Sequence, residues 1–476
     1  MPRAGHAIAL SAVALLTLGV VMVNSAGMSV DQRTPVTLET ILLSQSTIYM
    51  ALAMIALAMA AYIPVLRLLP GVPGRAHLAT GVTPEPRFGG WREHTLGGWT
   101  CWPLFLGVAL ILGVLCTVYL PGLGHEVNGS HRWLRINLGS QKLSVQPSEI
   151  AKWALPVLLA WYVWSIGPRI TRFFTGLAPA LAAVGAVAGF IIIEDLGTGV
   201  LIGAVAAIVL VAGGARFWQF LLLVPPAAGV FVVAVIKNPY RLERIRSFMD
   251  PYADPQGAGY HMIQSMVTIA SGEGTGRGLG HGINKMGYLP EDTTDFLPSV
   301  IFEELGIAGA ALVVALYVAL MLASLAVVRR QRALPLKLIA LGIISTLGLQ
   351  AVINLVVVTG LGPTKGIALP LLSSGGTGWI LTAGCLGLLV WMDRFAFASR
   401  DVRWEADRPS TPQTPASSTP AAHPADQPAA PTGVTPGPSS RPTGSTPVQS
   451  AATHSAPAVA TPRLTGAPSD ALASVA

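Results

Sequence analysis

Apolar runs of about 20 residues, each long enough to cross a hydrocarbon layer, recur along roughly the first four hundred residues with polar loops between them. They lie near 6–27, 45–68, 102–120, 151–165, 176–193, 199–213, 218–236, 300–327, 338–360 and 377–397. A backbone in lipid must satisfy its own polar groups, and runs of this length do so as helices. The fold class expected is therefore an all-α polytopic membrane protein with about ten transmembrane helices and one large extracytoplasmic loop at about 237–299. Composition agrees: hydrophobic residues make up 52% and charged residues 11%, where a soluble domain carries roughly a quarter charged.

An even number of spans puts both termini on one side. Arg3 ahead of an apolar stretch, and the small residues of Asn24-Ser25-Ala26-Gly27, fit a signal peptide. An uncleaved first helix is preferred, because its removal would carry the C-terminus to the other face. With the N-terminus inside, short inner loops hold Arg67, Arg75, Arg87, Arg92, Arg169, Arg172, Arg216, Arg329, Arg330, Arg332, Arg394 and Arg400, as cytoplasmic loops should. The outer face is not free of cations, for it carries Arg132, Arg135, Lys142, Arg241, Arg244, Arg246, Arg277, Lys285 and Lys365. Either long loops cross regardless of charge, or these residues serve an anionic ligand at the outer leaflet. Residues 1–400 thus form one transmembrane domain. The Pro-, Ala-, Ser- and Thr-rich stretch 401–476 cannot bury enough surface to order itself, and is expected to be a disordered cytoplasmic tail.

Some classes are excluded early. Cys101, Cys116 and Cys385 form no CxxC pair and have no histidine at ligand spacing. The net charge of +7 is scattered over membrane loops without interleaved aromatics, so nucleic acid is not a partner. The run Ser271-Gly-Glu-Gly-Thr-Gly-Arg-Gly-Leu-Gly280 aligns to GxGxxG but lacks the flanking strand and helix of a dinucleotide site, and reads as a tightly turned loop.

Chemistry concentrates in the outer segments. Arg241 and Arg244 are three apart, hence on one face if helical, and paired guanidiniums suit a pyrophosphate; a solvated basic face or lipid headgroup contact is the plainer alternative. The stretch 288–306 brings five carboxylates to the point of membrane re-entry, with Asp295 just before the apolar run and Glu303 and Glu304 inside it. Ionisable groups in such places face a polar cavity and mark function. Asp295 is either a general base at a cavity mouth or a cap for the next helix. Glu149 and Lys152 are spaced to pair, and Asp195 sits in a turn between two spans, as a structural or ligand-contacting group. Gly362 to Thr377 is a broken, Gly- and Pro-rich segment, tolerated at membrane depth only against protein or a watery cavity.

These segments resemble the SEDS family (shape, elongation, division and sporulation), which polymerises lipid-linked peptidoglycan precursor. The likeness spans most of 130–380: Arg132-Trp133, then Gln146-Pro-Ser-Glu-Ile-Ala-Lys152, Asp195-Leu-Gly-Thr198, Arg246-Ser-Phe-Met-Asp-Pro251 with Gly259-Tyr260, Leu289-Pro-Glu to Thr294-Asp-Phe296, Glu303-Glu-Leu-Gly306, and Gly366 to Gly376. Pro363-Thr-Lys-Gly366 and Arg246-Ser-Phe look like the FtsW-like division branch. The resemblance implies that Asp295 is the catalytic carboxylate of an inverting transfer. Arg241, Arg244, Lys285 and Lys365, with Arg132, become candidates for the donor's pyrophosphate, and Glu149, Lys152 and Asp195 become cavity-lining residues. The implied substrate is lipid II, the undecaprenyl-pyrophosphate-linked disaccharide peptide, and the implied partners are a class B penicillin-binding protein transpeptidase and other divisome proteins. No protein metal cage is implied, though a divalent cation such as Mg or Mn is compatible with the leaving pyrophosphate. Three departures from the family pattern stand out: His261 in place of Gln, Leu297-Pro298 in place of Ile-Phe, and Ser374 in place of Tyr. A flippase of the same lipid and a non-catalytic divisome scaffold are the rival readings. Charge crowded on one face favours the enzyme.

Overall fold

The computed structural model describes residues 3–27, 41–42, 44–64, 102–120, 124–127, 130–138, 141–374 and 376–406, without the side chains of 125–127, 130, 135–138, 141–143 and 398–406. These residues lie in one compact unit, Met1–Pro409, and a second unit, Ser410–Ala476, is outside them. Of the tail expected to be disordered over 401–476, residues 401–406 instead continue the last helix; its remainder, the inner-loop residues Arg67, Arg75, Arg87 and Arg92, and the side chains of Arg135, Lys142 and Arg400 lie outside the described residues.

All ten expected spans are helices: α1 (Ala4–Ala26), α2 (Gln45–Tyr62), α3 (Trp102–Cys116), α4 (Pro147–Ile166), α5 (Ala178–Glu194), α6 (Leu196–Ala212), α7 (Phe217–Ile236), α10 (Leu297–Arg330), α11 (Leu334–Val358) and α12 (Thr377–Ala406). Among the described residues nine helical segments are long and apolar enough to cross a membrane, and α6, at 17 residues, is the shorter tenth. The chain is an integral membrane protein. The large loop is not irregular, since it contains two short helices, α8 (Pro239–Met249) and α9 (Tyr260–Ser271).

Local chemistry sets the helix starts. Proline occupies the first turn of α4, α8, α10 and α11, where its missing N–H costs nothing. Pro298 therefore opens α10 without disturbing it. Asp195 caps α6, its Oδ1 accepting from the Thr198 backbone N–H at 3.1 Å and its Oδ2 from the Thr198 hydroxyl at 2.9 Å.

In the bundle α11 packs on α4, α6 and α10, α1 packs on α10 and α12, and α2 lies along α12. By contrast α7, a continuous helix with Pro225 and Pro226 inside it, buries only Val235 and leaves Trp218 and Leu222 exposed. Such an exposed helix, apolar apart from Gln219 in its first turn, faces lipid.

One element was not expected. Between α3 and α4 the strands β1 (Gly124–Val127), β2 (Ser130–Leu138) and β3 (Gln141–Val145) form an antiparallel sheet in that order. Leu134 pairs with Val145 and Ile136 with Leu143.

α10 is broken at Gly306, whose φ of 64° and ψ of −159° are outside any helix. The Gly-rich loop fills the break: Arg277 N–H and Gly278 N–H donate to Glu303 O and Glu304 O at 2.9 Å each, and Ile307 N–H donates to Gly274 O at 2.9 Å. A Cβ on Gly306 would stand 2.5 Å from Gly274 O, so the backbones approach more closely than any side chain allows. The GxGxxG-like run is thus the tight loop read from the sequence.

Candidate active site

Asp295 sits in the turn that precedes α10. Backbone N–H groups of Thr294 and Phe296 donate to Glu291 O at 3.2 and 3.1 Å, and the Thr294 hydroxyl donates to Glu291 Oε2 at 2.8 Å. Glu291 holds φ at 53°, a strained value for a residue with a side chain, and such strain gathers at functional turns. Ser374 N–H donates to Thr293 O at 2.9 Å and ties this turn to the broken segment before α12. That contact belongs to the backbone, so the Ser-for-Tyr departure leaves it intact.

Asp295 does not cap α10. The residue at the cap position is Phe296, no side chain caps the helix, and among the described residues no hydrogen bond reaches the Asp295 carboxylate. The carboxylate instead lines a cavity of about 560 Å³ with Glu291, His261, Arg244, Arg132, Asp195, Glu149 and Lys152. Gly366 stands opposite, where a Cβ would lie 3.1 Å from Asp295 Oδ2, so glycine keeps that approach open. Burial, then the neighbouring Glu291 charge, pushes the Asp295 carboxyl up to about 7 against the pull of Arg244 and Arg132. Asp292 is pushed to about 6, chiefly by burial. His261 lies with its ring 6.1 Å from that of Phe296, and burial and Arg244 lower its pKa.

A second cavity of about 490 Å³ adjoins the first through Arg132, Asp195, Tyr240, Arg244 and Gly366, and adds Arg241 and Lys365. The two arginines of α8 share a face as their spacing requires. Arg241 donates to Ile192 O at 2.6 Å and Ile193 O at 2.9 Å, carbonyls near the C-terminus of α5, where a cation is favoured by the helix dipole. Arg244 donates to Thr364 O at 3.0 Å and to the Tyr240 hydroxyl, and lies over that ring at 4.5 Å. Among the described residues Arg241, Arg244 and Lys365 make no ion pair with a carboxylate. Burial lowers the Lys365 pKa, while Asp195 counters it.

Arg132 donates to Glu194 O and lies 3.7 Å from Asp195 Oδ2, so Asp195 combines a capping role with a place on both cavity walls. Glu149 and Lys152 pair at 2.7 Å, and Lys152 also donates to Gln350 Oε1 at 2.9 Å. Lys285, expected with the pyrophosphate cations, lines neither cavity. It is 2% exposed and pairs with Glu304 at 2.6 Å. Glu303 and Glu304 are likewise buried away from both cavities. Sequence reasoning did not single out Glu291, Tyr240, Gln350 or Asn354. The last two had a visible signal, two amides four residues apart in an apolar span.

Among the described residues no three His, Cys, Asp or Glu side chains gather as a metal group would require. The donor set here is one of guanidinium and ammonium groups beside single carboxylates, which suits charge neutralisation and not a metal cage.

Fold and cavities together define a polytopic membrane protein with a half-buried carboxylate beside cations, Arg241, Arg244 and Lys365, that make no ion pair with a carboxylate among the described residues. Residues 97–397 match the family model FTSW_RODA_SPOVE, described as cell cycle protein, and the chain belongs to that family, on its FtsW-like side. It is 38% identical over 304 residues, 63% of this chain and 74% of the relative, to the probable peptidoglycan glycosyltransferase FtsW of Thioalkalivibrio sulfidiphilus. It is 38% identical over 312 residues, 64% of this chain and 78% of the relative, to the protein of the same name from Nitrosococcus halophilus. Among solved structures, a peptidoglycan synthase complex that coordinates polymerization and crosslinking aligns with a TM-score of 0.57 at 25% identity, covering 82% of this chain and 97% of that one. The rod shape determining protein RodA of Thermus thermophilus aligns at 0.51 and 24% identity, covering 82% and 96%, which supports the shared fold.

Proposed function

We propose that this protein is a peptidoglycan glycosyltransferase of cell division that joins lipid II units into glycan strands, with Asp295 as general base. The names of its relatives support the activity. The observation that carries the assignment is the cavity-facing, cap-free Asp295 carboxylate beside a second cavity whose Arg241, Arg244 and Lys365 make no ion pair with a carboxylate among the described residues.

The acceptor sugar's 4-hydroxyl attacks the anomeric carbon of the donor, the bond to the pyrophosphate oxygen breaks, and displacement inverts the centre. Asp295 takes the hydroxyl proton as the nucleophile attacks. Its pKa of about 7 suits the task, because a base matched to ambient pH is deprotonated yet still drives proton transfer. Arg244, Arg241 and Lys365 neutralise the leaving pyrophosphate from the adjoining cavity. Glu149, Lys152 and Asp195 line or shape the polar walls. A divalent cation would add further neutralisation at the pyrophosphate, but no step depends on it.

The site belongs on the extracytoplasmic face of the bacterial cytoplasmic membrane, with both termini cytoplasmic. The inner-loop arginines support this, and so does the gathering of cavity groups at one end of the bundle. Residues 1–400 form the catalytic domain and 401–476 a cytoplasmic tail. A class B penicillin-binding protein is the expected partner, by analogy with the synthase complex in which polymerization and crosslinking are coordinated.

The test is polymerisation of purified lipid II by the purified protein, with and without a class B penicillin-binding protein. Glycan strands that depend on Asp295 support the reading. Transbilayer movement of the lipid without polymer would replace it with the transporter.

A further inference from the structure

α11 is apolar apart from its basic start and a few polar side chains, and two of these are amides one turn apart, Gln350 and Asn354. Both are buried, at 8% and 2% exposed, and Gln350 lines the larger cavity. Gln350 accepts from Lys152 and donates to Ala368 O at 2.9 Å. Asn354 uses its amide nitrogen twice, donating to Asp295 O at 2.9 Å and to Ile367 O at 2.8 Å. Because both partners are carbonyl oxygens, the amide can present only its nitrogen to them. Its Oδ1 has no partner among the described residues.

Those two carbonyls belong to the two segments that face each other across the site. One bears Asp295; the other bears Lys365 and Gly366, whose bare face lies beside the Asp295 carboxylate. A side chain held from a third element, and hydrogen-bonded to both, sets the distance between them. Asn354 lines neither cavity and stands behind the walls that Asp295 and Gly366 form. We infer that Asn354 is a positioning residue of the transfer: its amide clamps the general-base turn to the pyrophosphate-side segment and so fixes where the base stands relative to the leaving group. The inference rests on Asp295 being the base.

A misplacement of about 1 Å at a reacting centre costs on the order of 10²-fold in rate. Asn354→Leu keeps the branched shape, with some added bulk, and removes both donors; Asn354→Ser keeps one donor. Polymerisation of lipid II is measured for both, per folded molecule, across pH, alongside Asp295→Asn. The expected result is a kcat lowered about 10- to 100-fold in the Leu variant with KM changed less than about 3-fold, and an intermediate loss in the Ser variant. Releasing the turn also lets water reach the carboxylate, so the acid limb of kcat/KM, which reports the free enzyme, should move down from about 7 toward the ordinary carboxylate range. A purely structural role would lower the amount of active protein and leave that midpoint where it is. Wild-type kcat and midpoint in both variants, with Asp295→Asn inactive, overturn the positioning role alone. Active Asp295→Asn overturns the base and the inference together. Should the Leu variant not fold, an unshifted midpoint with wild-type kcat in the Ser variant overturns the inference by itself.

Discussion

Two groups of ionisable side chains flank the start of α10, and they are built in opposite ways. On one side Lys285 Nζ lies 2.6 Å from Glu304, 3.0 Å from the Ser25 hydroxyl and 3.0 Å from Gly280 O, while Glu304 also accepts from Ser25 and Gly280 N–H. Beside them Glu303 Oε1 accepts from Ile283 N–H and the Asn284 amide at 3.0 and 2.9 Å, and only its Oε2 is unpartnered among the described residues. On the other side, among the described residues, the Asp295 carboxylate has no hydrogen-bond donor and the nearby Arg244 and Lys365 make no ion pair with a carboxylate. The closed cluster fastens the end of α1 and the Gly-rich loop to α10. The open one leaves its charge for a ligand. Charge near a membrane is costly in both places, and what separates structure from function is whether the neighbours already answer it.

The contrast is broken most severely by removing one member of the closed cluster. Glu304→Gln or Lys285→Met removes one charge of a buried ion pair, which costs about 3–5 kcal/mol. Detergent melting should show that loss, with the double change recovering part of it. A Lys285→Met protein that melts like wild type but fails to bind lipid II would return Lys285 to the pyrophosphate site. Gly306→Ala attacks the same junction through the backbone, since strain at its φ costs about 1–3 kcal/mol before the clash with Gly274 is counted.

In the open cluster the effects should fall on kinetics. Arg244→Lys keeps the charge but loses the fork that spans Thr364 O and Tyr240. Losing one charge-assisted hydrogen bond to pyrophosphate should raise KM for lipid II about tenfold or more. Unchanged KM would remove Arg244 from the binding site.

The smallest expected effect is also the one that separates the clusters by sign. The Asp295 pKa is raised in the folded protein, so the fold holds a proton that the unfolded chain releases. Its contribution to stability is present at low pH and is lost as pH rises through about 7, while activity, which needs the ionised base, rises over the same interval. Melting temperature and rate should therefore move in opposite directions between pH 5.5 and 8. In Asp295→Asn the melting slope should flatten. A slope unchanged by that substitution would assign it to other groups.

Much of this was legible in the sequence because hydrocarbon length and apolar patterning leave few alternatives. All ten spans, the Glu149–Lys152 pair and the shared face of Arg241 and Arg244 follow from spacing alone. The sheet at 124–145 was missed because its strands are short and lie between long apolar runs, although Gly139-Ser140 between two alternating stretches is a hairpin signal. Spacing also could not divide the five carboxylates of 288–306. Glu303 and Glu304 point into a loop that returns from residues 271–285, a tertiary contact no local pattern encodes. Asp195 and Asp295 both precede a helix, yet only Asp195 caps one, because the cap depends on where the side chain turns.

The central claim is that the open carboxylate is the base, and Asp295→Asn tests it most directly. The substitution keeps the shape and removes the proton acceptor, so glycan formation by the purified protein and its melting temperature should be read from one preparation. The account predicts a rate lower by about 10²- to 10⁴-fold in a protein that folds and melts at or above the wild-type temperature near neutral pH. Polymerisation near the wild-type rate would contradict it.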